Sequence, residues 1–475
     1  MEIEFQGLTA AELGCAFFEG RTDPVVALDF YLEQAKASGS VFISLCEGRA
    51  RVEAEASRAR WREGLPLSAL DGVPIAWKDL FDVRGTVTTA GSAVLKHRPM
   101  PVADAVVVSR ATQAGMVSLG KTNLTEFAYS GLGLNPHFGT PANPHATGEA
   151  RVPGGSSSGS AVAVARGAVP LAAGTDTAGS IRVPAAFNGL VGYKSSTRRY
   201  PLKGVFPLAP TLDSVGPLTR SVRDCYLLDA IFRGCPEPEP LRPMPLRAQR
   251  FIIEQSVLED ARIERAVRQN LEQAAAFLAA AGACIESRPV LAIQGTMALI
   301  ERHGWLGAPE ALATHESLLA SDEADRLDDR VKTRLLSARN MPATDLVHLH
   351  WGREKLITQL EEELDGAVLI LPTVGHVAPL LRPLEEDRDR FAAVNLATLR
   401  LTMPGSFLDT PGVALPTGVD AGGLPTSMLL SLPQGEDDRL LRLAASVELT
   451  LAKSASGKPG QTNLQSSPYV VRHSL

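Results

Sequence analysis

Hydrophobic and polar positions follow two periods along this chain, and the period changes where the elements change. Leu8-Thr9 opens a helical pattern that closes near Gly20. Asp23-Pro24 opens a second, with Val25, Leu28 and Leu32 on one face. Val41 to Leu45 reads as a short strand and Arg49 to Arg62 as a charged amphipathic helix. Asp71-Gly72 turns the chain into Val73 to Trp77, an apolar run of strand length that ends at Lys78. Asp104 to Gly115 reads as a helix ending on glycine, and Met116 to Leu119 as strand-like.

The run AVAVARGAVPLAA that follows Ser160 is apolar enough to be buried. Beyond it, the proline-rich stretch from Cys235 to Arg247 is extended and semi-rigid. Arg250 to Val257 reads as a strand and Glu259 to Gly282 as a long alanine-rich helix. Residues 290–362 are mostly helical in pattern, with acidic patches. Ala367 to Pro372 and Val413 to Pro416 are apolar strand candidates, and Arg439 to Leu451 is a final amphipathic helix. No internal repeat is visible. These breaks divide the chain into a helical segment (1–62), a core (63–235), a second half of the same domain (236–455) and a polar tail (456–475) expected to be mobile.

Composition narrows the class. Of 475 residues, 45% are hydrophobic, enough to fill a sizeable core. The net charge of −6 argues against a nucleic-acid partner. Five scattered cysteines without CxxC spacing fit reduced thiols in a cytoplasmic protein. The first residues show no signal peptide, and no run reaches the roughly 18 or more apolar residues that span a bilayer. No membrane contact is expected, and a homodimer is compatible with all of this.

The chemistry gathers between Arg151 and Asn188, where two serine-bearing glycine loops flank the apolar run. The first is Gly154-Gly155-Ser156-Ser157-Ser158-Gly159-Ser160 and the second Gly174-Thr175-Asp176-Thr177-Ala178-Gly179-Ser180. Small residues let backbone N–H groups approach a ligand, and a serine ending such a loop is placed as a nucleophile beside an oxyanion hole. Flexible turns around a core segment are the plainer alternative, but linkers rarely enclose a buried run. Two short motifs mislead. Gly115 to Thr122 matches the P-loop pattern, yet a helix precedes it and its interior is strand-like, the reverse of the required order. Gly155 to Gly159 matches G-x-S-x-G, which would make Ser157 the nucleophile, but no apolar strand leads into it and no histidine stands in a recognisable frame.

The two loops resemble the signature of the amidase signature family, serine hydrolases with a Ser–cis-Ser–Lys triad. The resemblance implies Ser180 as nucleophile, Ser156, 24 positions earlier, as the bridging serine after a cis peptide, and Lys78 in Gly72-Val-Pro-Ile-Ala-Trp-Lys-Asp79 as base. From its own surroundings Lys78 could equally form a salt bridge with Asp79 or Asp82. The match runs to about Pro217 through KTNLTEFA, NGLVGYK and TLDSVGP, and returns weakly in LPTVGHVAP and PGVALPTG. It implies an α/β fold, a mixed β-sheet between helical layers in a single domain. It also implies that Lys121-Thr122-Asn123 leaves a strand into a helix over Leu124 to Tyr129, and that the loop Ser130 to Asn143 passes the active site.

Function follows as expectation. With no histidine in either loop, a neutral Lys78 would activate Ser180 through the Ser156 hydroxyl. The N–H groups of Thr177, Ala178, Gly179 and Ser180 would bind the oxyanion. Ser157, Asp176, Arg182 and Asp213 are read as a supporting network. Tyr129, Ser130, Gly131, Leu132 and Gly133 are candidate substrate contacts, as is the region from Met297 to Met341. The reaction expected is hydrolysis of a C–N amide or carbamate bond in a small, mostly neutral substrate, with no cofactor and no metal, since no His/Cys cluster has ligand spacing. Ser158 and Ala178 replace the commoner glycines, as in allophanate hydrolases, whose further C-terminal domain would not fit in full. Gly192-Tyr193-Lys194-Ser195 replaces the frequent G-L-K-P. Allophanate or urea-derivative hydrolysis, and the glutaminase subunit of a tRNA-dependent amidotransferase, are the alternatives, together with an inactive homologue that the intact Lys78, Ser156 and Ser180 argue against.

Overall fold

Caps written into the sequence start the first helices. Thr9 and Glu12 form a capping box for the helix Ala10–Phe18, and the Asp23 carboxylate accepts from the N–H groups of Val25 and Val26 at the head of Pro24–Ala37. A charged helix follows over Glu47–Glu63 and ends on Gly64 in the left-handed conformation. The computed structural model describes residues 4–455; the polar tail lies outside the described residues.

Eleven strands form one sheet. They are β1 (Phe42–Leu45), β2 (Pro74–Lys78), β3 (Val117–Thr122), β4 (Leu171–Asp176), β5 (Val191–Lys194), β6 (Ser214–Thr219), β7 (Arg250–Glu254), β8 (Cys284–Arg288), β9 (Val368–Pro372), β10 (Gly412–Val419) and β11 (Pro425–Ser431). Their order is β1-β3-β2-β4-β6-β5-β10-β11-β9-β7-β8. β3, β2 and β4 run parallel, as do β8, β7 and β9, while β4, β6, β5, β10, β11 and β9 alternate in direction. β2, β3 and β4 are buried at every position, as strands covered by helices on both faces must be. The fold is the expected α/β arrangement, a mixed sheet flanked by helices. Strands from both halves share that sheet, because β10 and β11 lie between β5 and β9.

Several boundaries differ from the sequence reading. No helix forms over Leu124 to Tyr129. A short turn at Glu126–Ala128 replaces it, with Phe127 at φ +52° and Ala128 at φ +62°. Buried Phe127 stacks on Phe206 and packs at a tilt against the His315 ring there, and Thr125 N–H donates to the Ser156 carbonyl, so tertiary packing overrides the local pattern. The strand from Arg250 stops at Glu254, whose side chain caps Ser256 and opens a short helix. The long alanine-rich helix begins only at Arg265, after Asp260 turns the chain. The apolar run after Ser160 splits into the helix Ser158–Ala165 and strand β4. Strands β5, β6, β8 and β11 carried no alternation that the sequence pattern resolved.

Candidate active site

Lys78 ends β2 beside the end of β4, in a fully buried position. Its Nζ lies 2.7 Å from Ser156 Oγ and 2.7 Å from Thr175 Oγ1. It forms no ion pair among the described residues. Asp79 pairs instead with Lys121 at 2.7 Å, and Asp82 accepts from the Thr88 hydroxyl. Burial pulls the Lys78 ammonium down from 10.5 to about 7, against the opposing charges of Asp176 and Asp213. Lys121, the lysine of the P-loop-like stretch, is spent inside β3 on that buried ion pair.

The first loop runs from Gly154 to the helix Ser158–Ala165, and the Gly155–Ser156 peptide is cis. Ser156 is fully buried. Ser157 N–H donates to the Ser180 carbonyl at 3.3 Å, which ties the two loops together. The Ser157 hydroxyl is turned to the Thr175 carbonyl and touches no histidine. No hydrogen bond joins the Ser156 and Ser180 hydroxyls among the described residues.

The second loop is organised by Asp176. Its carboxylate accepts from Gly179 N–H at 2.7 Å and Ile181 N–H at 3.1 Å, and forms a two-point ion pair with Arg182. Arg182, also buried, reaches the Thr402 carbonyl and the Ser406 hydroxyl. The guanidinium and backbone donors outweigh burial and hold the Asp176 carboxyl at about 2. Gly179 N–H is therefore already committed, whereas the N–H groups of Thr177, Ala178 and Ser180 donate to no protein acceptor among the described residues. Gly179 sits at φ +141°, and a Cβ there would come within 2.2 Å of Thr402 Oγ1, so only glycine fits. Asp213 accepts from the Thr177 hydroxyl and from Leu208 and Ala209 N–H, and burial raises its carboxyl to about 6.

The Tyr129 to Gly133 loop lies against the first serine loop. Gly155 N–H donates to the Gly131 carbonyl, and Asn395 accepts from Ser130 Oγ and Gly131 N–H. Leu132 packs with Ala178, Val183, Leu399 and Met403, and Ile300 and Trp305 border that cluster. Met297 and Leu299 pack elsewhere in the core. Arg334 lies over the Tyr129 ring at 4.3 Å and donates to the Tyr129 carbonyl at 3.0 Å, with no acidic partner among the described residues. Sequence reasoning missed Thr175, Asn395, Thr402 and Ser406. Thr175 stood inside a quoted loop, but nothing local aims its hydroxyl at Lys78; the other three lie more than 200 residues downstream.

Residues 27–441 match the family model described as Amidase. The chain is 33% identical over 417 residues to the 2-amino-5-chloromuconic acid deaminase of Comamonas testosteroni, covering 85% of this chain and 87% of that protein. It is 32% identical over 494 aligned positions to a glutamyl-tRNA(Gln) amidotransferase subunit of Thermobifida fusca, covering 96% and 98%. A crystal structure of an amidase superposes with a TM-score of 0.82 at 33% identity, over 93% of this chain and 99% of that one. Fold and relatives together define an enzyme that hydrolyses C–N bonds. The chain belongs to the amidase signature family.

Proposed function

We propose that the chain is a cytoplasmic serine amidohydrolase in which Ser180 attacks a carbonyl carbon, Ser156 relays the proton and Lys78 receives it. The observation that carries this is a buried lysine, with a pKa drawn down to about 7, in hydrogen-bond contact with a buried serine hydroxyl and free of any carboxylate contact among the described residues. At neutral pH a large fraction of such a lysine is the free amine. The Ser156 proton passes to Lys78 Nζ as Ser156 Oγ takes the Ser180 proton. The new C–O bond leaves a tetrahedral oxyanion, for which Thr177, Ala178 and Ser180 N–H are the available donors; Gly179 drops from the expected set because Asp176 holds its N–H. Collapse breaks the C–N bond, and the leaving nitrogen takes the proton back through Ser156. Water then hydrolyses the acyl-enzyme by the same relay. A serine-directed fluorophosphonate should label Ser180, and Ser180→Ala should lose several orders of magnitude in kcat with its fold intact. Label on Ser157 would favour the G-x-S-x-G reading instead.

The substrate class is the finer question. The apolar border of Leu132, Ile300 and Trp305 suits the neutral amide or carbamate expected from the sequence. Arg334 favours a second reading, a small substrate that carries a carboxylate, since a guanidinium fixed on Tyr129 without an acidic partner among the described residues is suited to a two-point carboxylate contact. The deaminase relative is named for an acid. A neutral anilide, an aryl carbamate and allophanate, compared by kcat/KM, separate the two. A preference for allophanate above about tenfold, near 1.4 kcal/mol, selects the carboxylate reading. No turnover of any simple amide or carbamate by the isolated chain would select the tRNA-dependent amidotransferase alternative.

A further inference from the structure

A cleft of about 850 Å³ opens between residues 197–202, residues 210–213 and the helix Ala343–Leu364, and of the residues described in the candidate active site it is bordered by Asp213 alone. Arg198, Tyr200, Thr211, Asp213, Arg353 and Asp409 contribute to its walls. Lys78, Ser156, Ser180 and the 129–133 loop do not. Both wall carboxylates already accept three hydrogen bonds each. Asp409 accepts from Thr197 N–H at 2.7 Å, from the Thr197 hydroxyl and from Gln434 Nε2. Asp213 accepts from Thr177, Leu208 and Ala209.

The two arginines are not saturated. Arg353 spends only its Nε, on the Phe407 carbonyl, and Arg198 makes no hydrogen bond or ion pair among the described residues. Arg198 also has a backbone φ of +64°, a region that few non-glycine residues enter. Its neighbours hold it there, Thr197 through Asp409 and Arg199 through a two-point pair with Asp229. Arg198 is exposed, but its backbone is held on both sides in a rare conformation at the wall of a cleft of small-molecule size, which it shares with half-buried Arg353, whose two terminal nitrogens donate to no acceptor among the described residues.

We propose that this cleft binds a small dianion, a phosphate monoester or a dicarboxylate, through Arg198 and Arg353, at a place that shares only Asp213 with the candidate active site. Guanidinium forks match the oxygens of either group two at a time, and two forks match a dianion better than a monoanion.

The test uses the full chain carrying Ser180→Ala, so that its outcome is independent of whether Ser180 is the nucleophile. Calorimetric titration with inorganic phosphate and, separately, succinate, at matched ionic strength against acetate, should show saturable binding of at least one dianion and none of acetate. Binding of phosphate alone or of succinate alone identifies the ligand class. Arg198→Ala and Arg353→Ala should each weaken it at least tenfold, while Arg62→Ala, on an exposed helix end, should leave it unchanged. Arg198→Glu serves the same purpose should Arg353→Ala fail to fold. Absence of saturable binding by both dianions, or affinity unchanged in the Arg198 variants, overturns the proposal.

Discussion

Replacing Lys78 by methionine tests the proton relay and the physical cost of the relay together. Methionine keeps most of the volume and removes the amine. In the native chain the lysine is held at about 7 instead of 10.5. At about 1.4 kcal/mol per pH unit, burial therefore costs the folded state roughly 5 kcal/mol at pH 7 and below, where the unfolded chain carries the same charge in water. The sign follows from proton counts. Between pH 7 and 10.5 the unfolded state binds the proton that the folded state has released, so native stability rises with pH across that window. Lys78→Met removes the cost but leaves Ser156 and Thr175 without their 2.7 Å partner, at about 1–3 kcal/mol for each buried hydroxyl. The variant should thus be as stable as the native protein or more so at pH 7, and its advantage should shrink by pH 9.5. Urea unfolding at the two pH values measures this. Its activity should fall by at least ~10²-fold. In the native enzyme kcat/KM should climb about tenfold per pH unit up to about 7 and then level. A profile flat from pH 5 to 8, or a variant that keeps native activity, would refute the lysine base. A variant advantage that grows with pH would refute the burial argument.

Arg182→Met should destabilise by about 3–5 kcal/mol in urea, because it strands the buried Asp176 carboxylate; a loss below 1 kcal/mol would mean that backbone donors alone suffice. Gly179→Ala should cut kcat by roughly 10²-fold or more, since its Cβ would displace the loop from Thr402, whereas Ala178→Gly should change it only severalfold; near-native kcat in Gly179→Ala would count against the loop geometry. Prolonged dialysis against a strong chelator should leave activity unchanged, because no metal-holding group of His, Cys, Asp or Glu occurs among the described residues; loss that zinc restores would overturn this.

What the chain reveals without its fold is local. The glycine-serine loops, the fixed separation of Ser156 and Ser180 and the apolar approach to Lys78 are read within short windows, because each depends on residue size and spacing along one segment. The caps at Thr9 and Asp23 are legible for the same reason. The helix expected over Leu124 to Tyr129 failed because Phe127 is placed by His315 and Phe206, which no local pattern contains. The insertion of β10 and β11 between β5 and β9 likewise rests on a distant partner, since it sets Gly412 of β10 opposite Lys194 of β5, more than 200 residues earlier. Electrostatics divides in the same way. That Lys78 would lack a carboxylate contact was undecidable from Lys78-Asp79, since only the parallel pairing of β2 with β3 brings Lys121 within 2.7 Å of Asp79 and leaves Lys78 to Ser156 and Thr175. Sequence sets which groups are available for chemistry. Burial and the partners that share it, which exist only after the sheet closes, decide their charge and which donors remain free.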